Sequence, residues 1–387
     1  MIDMTKNADS IKSFEYEGEW NLMRGIIPPG YICYKATGPI TVDGRADEAD
    51  WETAPWTDYF VDIEGSPSPR VNPRFRTRAK MLWDDEYFYV YAELEEPHVW
   101  GKLTEKNSII FHDNDFEVFI DPDWDNHNYY EYEVNALGTV WELTLPKPYR
   151  NAGEPRLGTN LPGLKSAVHV KGTLNDPSDT DEGWSVEVAF PWKDLVEYAG
   201  DRPCPPEPGN QWRVAFSRVN WIMDIIKGEY VKVAGRPEDN WTWARQGIIA
   251  MHCPERWGFV QFSDKTPGTD RFEMDPTFQT REELMEVYHQ QREFNEKFGR
   301  YARDISELDT DITKNLIHTG TAVDLNIELT ETGYIASKRV FLPDGTWCIL
   351  RIGEDSRIWS ENLGRLHGEP TADNKPAAKP ACKKADK

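Results

Sequence analysis

The chain has 387 residues, of which 39% are hydrophobic and 12% aromatic, and this is enough apolar surface for one large domain and a smaller one. Its formal net charge of -23 repels nucleic-acid phosphates and anionic lipids, which excludes DNA and RNA as expected partners. The five cysteines are widely separated and form no CxxC pair, so neither a zinc site nor a disulfide framework is predicted. No apolar run approaches the roughly 20 residues that a membrane-spanning helix needs, and the N-terminus lacks the apolar region of a signal peptide.

Residues 1–30 are polar with a Pro28-Pro29-Gly30 break, and we expect a flexible segment there. The next segments alternate apolar and polar residues. In RTRAKMLWDDEYFYVYAELEEP this alternation resumes after an acidic turn, which predicts a hairpin. The same pattern recurs in NDFEVFIDP, YYEYEVNA, GTVWELTLP, GWSVEVAFP, QWRVAFSRVNW and WGFVQFS. Eight or more strands without a long helix predict a mainly β domain over residues 31–263, an antiparallel β-sandwich of the immunoglobulin-like or jelly-roll kind.

The periodicity changes after Gly268. Thr280 and Glu283 form a capping-box pattern, and the following apolar residues recur at helical spacing as far as Gly299. A second short helix is predicted from the spacing of Tyr301, Ile305 and Leu308, and four short runs from about Asp324 predict a β-meander. The sequence therefore predicts a helix-plus-meander unit over residues 270–365. Residues 366–387 are rich in Ala, Pro and Lys, which predicts a disordered tail.

Strand parity predicts a polar face on two of these segments. In NDFEVFIDP the odd positions 115, 117 and 119 point away from the apolar even positions, and in YYEYEVNA Glu131, Glu133 and Asn135 oppose apolar and aromatic neighbours. If the two strands are adjacent, their carboxylates and amides share one face. Sugars are bound by aromatic rings that stack on their C–H faces and by polar groups that hydrogen-bond their hydroxyls. The face is therefore a candidate sugar site, with a solvated surface as the alternative.

The order of several motifs carries a family resemblance. ITVDGRADEADWETAPW, WDDEYFYVYAELEEP, NDFEVFIDP, YYEYEVNA and MHCPERWGFVQF follow one another as in family 9 carbohydrate-binding modules, which the chain resembles over roughly residues 31–263. The resemblance implies a β-sandwich, sugar binding, often bound calcium, and association with polysaccharide breakdown. It also implies an extracellular or periplasmic location, although this chain shows no signal peptide.

The resemblance also assigns candidate site residues. The aromatic platform of the family, six positions before Glu117, falls on Phe111, and a polar position before Val-Asn falls on Arg218, although parity groups Arg218 with apolar residues. Glu133 stands where the family often has Arg, and Met251 stands where a second clamp aromatic is expected. Replacement rings are expected from Trp241 and Trp243, with an anchoring role in the core as the alternative.

The loop DPDWDNHN is a candidate calcium site. Asp121, Asp123, Asp125 and Asn126 have the alternating spacing that lets oxygens converge on calcium, with a plain acidic turn as the alternative. Haem is not expected, because Met251 and His252 are adjacent and point to opposite faces of a strand, and no CxxCH is present. Nucleotide-binding motifs are also absent from the sequence.

Three functions are compatible with the sequence. We favour a non-catalytic protein that binds oligo- or polysaccharides, with its C-terminal unit docking on the sandwich or recruiting a protein partner. A glycoside hydrolase that uses paired carboxylates is the enzyme alternative, with Asp115 and Glu117 or Glu131 and Glu133 as candidate pairs. A scaffold protein with a vestigial sugar site is the third.

Overall fold

The structure is a computed structural model that describes residues 14–65, 72–310 and 324–365. The predicted tail, residues 366–387, lies outside the described residues, as do residues 1–13 of the N-terminal segment. The helices are α1 (Trp20–Met23), α2 (Ala49–Thr53), α3 (Trp192–Leu195) and α4 (Phe278–Phe298). The strands are β1 (Gly30–Lys35), β2 (Val61–Asp62), β3 (Thr77–Trp83), β4 (Tyr87–Glu95), β5 (Asp115–Asp121), β6 (Tyr129–Asn135), β7 (Val140–Leu145), β8 (Arg156–Leu157), β9 (Lys165–Lys171), β10 (Gly183–Pro191), β11 (Gln211–Asn220), β12 (Met223–Ile226), β13 (Glu229–Lys232), β14 (Asp239–Thr242), β15 (Gly258–Ser263), β16 (Leu325–Leu329), β17 (Tyr334–Phe341), β18 (Thr346–Gly353) and β19 (Ile358–Arg365).

The large domain is one curled sheet in the order β8-β7-β6-β5-β11-β15-β1-β3-β4-β10-β9, with β14 and β2 attached beside β11. The predicted hairpin is confirmed as β3 and β4, where Met81 faces Val90 and Trp83 faces Phe88. The sheet is antiparallel except at one strand. β1 lies between β15 and β3 and runs parallel to both, because it enters the sheet at the point where its two halves meet.

The two halves of the curled sheet pack on each other around one apolar core. Even-numbered residues of β5 and β6, such as Val118 and Tyr132, contact the same cluster as Val188 of β10 and Phe88 of β4. The alternation of the strands therefore buries one face of each half and leaves the other face for solvent or a ligand. A mainly β sandwich with a small C-terminal α+β unit is confirmed.

The C-terminal unit consists of α4 and a second sheet in the order β16-β17-β18-β19. Helix α4 begins after Thr277 and ends at Gly299, which adopts a left-handed conformation (φ 66°) that glycine tolerates. Thr280 therefore lies inside the helix and does not cap it. The predicted second helix is replaced by a single 3-10 turn, Ile305–Glu307, because Asp304 caps it through Ser306 N and the chain is extended again at Leu308.

The N-terminal segment differs from the expectation of a flexible stretch. Phe14, Tyr16, Trp20 and Met23 are buried in the same apolar cluster as α4 and the C-terminal sheet. Residues 14–30 are thus part of the folded structure, because these four large side chains bury apolar surface there. Among the helices of the described ranges, none is both long and apolar enough to cross a membrane.

Candidate functional site

A cleft of about 350 Å³ opens on the outer face of β5, β6 and β7, on the side opposite the core of the sandwich. Neighbouring loops and the ends of β11 and β14 complete its walls. Its lining consists of aromatic and aliphatic side chains together with several carboxylates: Ile63, Phe111, Glu117, Phe119, Glu131, Glu133, Trp141, Leu143, Tyr149, Val219, Glu238, Asn240, Ile249, Ala250, Met251 and His252. The polar face predicted from strand parity is therefore the floor of this cleft.

Aromatic rings form one wall of the cleft. The ring centroids of Phe111 and Trp141 lie 6.2 Å apart, with the two planes at 36°. Trp141 lies directly opposite Glu133 on the neighbouring strand, so this ring stands beside the carboxylates. Tyr149, which is 47% exposed, stands edge-on to His252 at 4.5 Å. Rings and carboxylates thus occur together on one surface, the combination that a sugar requires.

Three glutamates form the floor of the cleft. Glu117 and Glu133 face each other across β5 and β6, and Glu131 follows on the same side of β6. Burial raises the pKa of Glu117 to about 7. The pKa values of Glu131 and Glu133 are also raised, first by burial and then by repulsion from Glu117. Near neutral pH these carboxyl groups therefore resist being charged at the same time.

Asp115 lies two residues before Glu117 on β5 and is fully buried. Its Oδ1 accepts a hydrogen bond from Val219 N at 2.9 Å, whereas Oδ2 has no hydrogen-bond partner. Burial and the nearby Glu117 raise the pKa of Asp115 well above its ordinary value. Glu133 is held in place because its Oε2 accepts a hydrogen bond from Phe111 N at 3.2 Å.

His252 closes the end of the floor near Tyr149. Its Nδ1 lies 3.0 Å from the hydroxyl of Tyr129, and its Nε2 lies 4.0 Å from Glu131 Oε2. Burial lowers the pKa of His252 to about 3, so the ring is neutral at physiological pH. The lining residues include neither Lys nor Arg. The walls of the cleft consequently offer no fixed positive charge to its carboxylates.

The structure brings four of the sequence-predicted residues together and separates three from them. Phe111, Glu117, Glu133 and Met251 line the cleft. The other three lie in the core of the sandwich or at its edge, fully or almost fully buried: Arg218, Trp241 and Trp243. The parity argument, which grouped Arg218 with the inward-facing side chains of β11, describes its position correctly.

Arg218 is held in a buried polar network. Its Nη2 lies 2.9 Å from Glu96 Oε2, and its Nη1 donates to Thr77 Oγ1 at 2.9 Å. The same Glu96 oxygen accepts hydrogen bonds from the amides of Asn114 and Asn220. Arg218 therefore bonds to protein groups inside the fold.

Sequence reasoning did not select Trp141, Tyr149 or Asn240 for the site. Trp141 had a usable signal, because it shares the parity of Leu143 in GTVWELTLP and that strand follows the polar strand directly. Tyr149 and Asn240 belong to a turn and a short strand that reach the cleft from distant parts of the chain, and local spacing carries no signal for them. The sequence suggests only a haem-ligand role for His252, which is not expected, whereas in the structure the residue lines the cleft.

The predicted calcium loop follows β5 directly. The carboxylate oxygens of Asp121, Asp123 and Asp125 lie within 4.8 Å of one another. Burial raises the pKa of Asp121, and it raises the pKa of Asp123 to about 6. The neighbouring Asn126 contacts the C-terminal unit, where its Nδ2 donates to Ser356 O at 3.0 Å. We call Asp121, Asp123 and Asp125 the loop carboxylates.

The loop also connects the two units of the molecule. Arg357 Nε lies 2.9 Å from Asp125 Oδ2, and Ile358 N donates to Asp125 O at 3.0 Å. From α4, Arg281 Nη1 donates to Trp124 O at 2.9 Å. The C-terminal unit therefore docks on the sandwich, partly through this loop.

Part of the chain is similar to known proteins. Residues 42–204 match the family model described as "Carbohydrate family 9 binding domain-like". The chain is 30% identical over 159 residues to endo-1,4-beta-xylanase C of Paenibacillus barcinonensis, covering 41% of this chain and 12% of that enzyme. It is 27% identical over 199 residues to exoglucanase XynX of Acetivibrio thermocellus, covering 50% of this chain and 15% of that protein.

Two solved structures are also similar. One is a family 9 carbohydrate-binding module from Caldicellulosiruptor kristjanssonii in complex with cellotriose, with 13% identity, a TM-score of 0.39, and coverage of 64% of this chain and 100% of that one. The other is described as a putative carbohydrate-binding protein from Bacteroides uniformis, with 15% identity, a TM-score of 0.44, and coverage of 61% and 100%.

The fold and the cleft define a β-sandwich module with one open, aromatic and acidic outer face. Within it, residues 42–204 match the model of the family 9-like carbohydrate-binding domain. The chain spans 12–15% of the length of the curated relatives described above, so the similarity concerns this domain and not their full length.

Proposed function

We propose that the protein binds oligo- or polysaccharides in the cleft of its outer face. The supporting observation is that the rings of Phe111 and Trp141 line the same cleft as Glu117 and Glu133. A ring stacks on the C–H face of a sugar, and the carboxylates accept hydrogen bonds from its hydroxyls. The cleft volume of about 350 Å³ suits one or two sugar units of a longer chain.

The biological setting of this binding is polysaccharide breakdown or uptake. The relatives named as a xylanase and an exoglucanase carry the matched segment within much longer chains. In this proposal the cleft holds a polysaccharide, and cleavage is the work of another domain or protein.

Isothermal titration against a panel of mono- and oligosaccharides tests the proposal. Trp141→Ala is expected to weaken binding by about 10-fold, because the stacking surface is lost. Tyr59→Ala is the control for loss of a ring outside the cleft, since Tyr59 lines a different recess, and the thermal midpoints of both variants are compared because Trp141 is the more buried ring. If no sugar of the panel produces heat of binding, or if the wild type and Trp141→Ala bind with equal affinity, the site is refuted. The same samples are assayed for new reducing ends, and release of sugar that Glu117→Gln abolishes would establish a hydrolase instead.

We also propose that the loop carboxylates bind calcium. One carboxylate oxygen from each loop residue lies within 4.8 Å of the others, which fits a hard cation. Asn126 donates through its Nδ2 to Ser356 O, and its amide oxygen is the atom that would serve as a further ligand. Because the loop contacts the C-terminal unit, a bound ion would stabilise the junction between the two units.

Removal of calcium is therefore expected to lower the thermal midpoint of the wild type by several degrees, as measured by differential scanning calorimetry with and without chelator. Asp123→Asn is expected to lose most of this response. Asp85→Asn, which changes an exposed aspartate (side chain 85% exposed), is expected to keep it. A response of Asp123→Asn equal to that of the wild type would exclude the loop as the origin of the calcium effect.

A further inference from the structure

We propose that the floor of the cleft is itself a cation site, in which Asp115, Glu117 and Glu133 hold a hard divalent ion such as Ca²⁺. The ion would lie at the bottom of the cleft, with its remaining coordination positions open to water or to the hydroxyls of a bound sugar. We call these three residues the floor trio. The ion site itself is independent of the function proposed above, and its contact with sugar hydroxyls rests on that function.

The geometry of the floor trio supports the site. One carboxylate oxygen from each residue lies within 4.8 Å of the others. Calcium binds carboxylate oxygens at 2.3–2.6 Å, so oxygens around one ion are separated by up to about 5 Å. The three side chains come from two neighbouring strands, and residue 117 lies directly opposite residue 133. Rigid strands thus hold the oxygens around a common point.

An unpartnered oxygen points to a missing ligand. Asp115 is fully buried, and its Oδ2 has no hydrogen-bond partner although Oδ1 accepts from Val219 N. Beside the trio, Glu131 Oε2 is also buried without a hydrogen-bond partner, and it lies 4.0 Å from the neutral His252. Buried hydrogen-bond acceptors almost always have a partner in native proteins, and a bound metal ion would be the partner of these carboxylate oxygens.

The floor trio lacks the cationic partner that two other buried carboxylates of the described residues have. Glu96 is paired with Arg218, and Glu255 is paired with Arg150. Among the residues that line the cleft, by contrast, there is no Lys or Arg, and like charges lie directly opposite each other on β5 and β6. Such cross-strand pairs are unfavourable unless something compensates them.

The site is accessible from solvent through the cleft. Glu117 and Glu133 line the cleft, while Asp115 is buried two residues before Glu117 on β5. Three protein carboxylates leave several of the 6–8 positions of calcium unfilled, and these positions face the space where the proposed sugar lies. A sugar with neighbouring hydroxyls would then bind partly through the ion.

Terbium luminescence on the 387-residue chain tests the site, with Trp141 of the cleft wall as the sensitiser and calcium as the competitor. The parent is Asp123→Asn, which removes the proposed loop site, and it is first treated with chelator. We expect one saturable terbium site that calcium displaces. Glu133→Gln and, separately, Glu117→Gln are expected to weaken terbium and calcium binding by at least 10-fold. Glu182→Gln, at an exposed position in the other half of the sandwich, is the control and is expected to bind as the parent does.

A second measurement keeps the test informative if a variant folds poorly. Without metal, Glu133→Gln is expected to have a thermal midpoint at or above that of the parent, because it removes one of the opposed charges. With calcium, the parent is expected to gain stability and the variant to gain little. Absence of a saturable site in the parent, or binding that survives both Glu→Gln changes, would overturn the proposal. A cleft that binds amino sugars but binds no metal ion would also overturn the proposal.

Sugar titration with calcium and with chelator separates this inference from the proposed function. A loss of at least 10-fold in sugar affinity on chelation of the Asp123→Asn protein supports an ion in contact with the sugar. Calcium binding without any sugar binding would uphold the ion site and refute the proposed function. Sugar affinity that is unchanged by chelator would refute contact between the ion and the sugar.

Discussion

Replacing Arg218 by methionine is expected to lower the free energy of unfolding by about 3–5 kcal/mol, because the change leaves a buried charge without its partner. Arg218 is fully buried, and its Nη2 lies 2.9 Å from Glu96 Oε2. After the substitution, Glu96 would keep only the neutral amides of Asn114 and Asn220 as donors. Sugar affinity of the folded protein is expected to be unchanged, because the side chain lies on the core side of β11. Urea denaturation and sugar titration on the same preparation measure both quantities.

Arg78→Met is the matched control for this experiment. Arg78 also pairs with a glutamate, Glu93, at 3.1 Å, but both side chains are about one-third exposed. A partly exposed pair contributes about 1 kcal/mol or less. A second comparison replaces Arg218 and Glu96 together by apolar residues, which is expected to recover part of the lost stability. An affinity loss in Arg218→Met without a loss of stability would instead place Arg218 in the sugar site, as the family resemblance implies.

Alternation along single strands was the most informative signal in the sequence. It predicted the β3–β4 hairpin, the inward face of β5 and β6, and the polar face that becomes the floor of the cleft. These features follow from the two-residue period of a strand and need no knowledge of its neighbours. The direction of β1 in the sheet could not be predicted in this way. Parallel and antiparallel strands can carry the same local pattern, so the parallel pairing of β1 with β15 and β3 could not be derived from it.

The residues of the candidate site could be predicted only where they lie on regular strands or in the motifs that carry the family resemblance. Phe111, Glu117 and Glu133 were found in this way. Trp241 and Trp243 are predicted as rings of the site, but both lie in the core. The local sequence around an aromatic residue is the same whether its ring faces a ligand or the core, so the two cases could not be distinguished. Tyr149 reaches the cleft from a turn that follows β7, and its position depends on packing between distant segments.

The N-terminal segment shows a third limit. Its residues are mostly polar, and the few large apolar side chains have no obvious period, so local patterns do not predict order there. In the structure, α1 packs on α4, more than 250 residues away in the chain. Order of this kind depends on a long-range partner that local patterns do not reveal.

This contact between α1 and α4 contains a buried histidine that should make stability depend on pH. His289 of α4 stacks on Trp20 with ring centroids 5.0 Å apart, and its Nε2 lies 3.6 Å from Glu255 Oε1. Glu255 in turn makes two contacts with Arg150, at 2.7 and 2.8 Å. Burial lowers the pKa of His289 from 6.5 to about 4, and this effect outweighs the opposite effect of Glu255.

The sign of the dependence follows from proton binding. Between pH 6.5 and about 4 the unfolded chain protonates this histidine while the folded protein does not, so acid favours unfolding. The stability associated with neutral His289 is therefore complete above pH 6.5 and is lost as the pH falls toward 4. Glu255 adds a change in the same direction at lower pH, since its pKa lies well below its ordinary 4.5 because of Arg150 and His289.

We therefore expect the free energy of unfolding of the wild type to fall, between pH 6.5 and 4.5, by about 2 kcal/mol more than that of His289→Gln. Urea denaturation at several pH values in this window measures the difference. The cleft carboxylates have raised pKa values and act in the opposite direction, but they are present in both proteins and cancel in the comparison. His112→Gln changes an exposed histidine and serves as the control, which is expected to follow the wild type. Parallel curves for the wild type and His289→Gln would show that His289 is protonated in the folded protein as readily as in the unfolded chain.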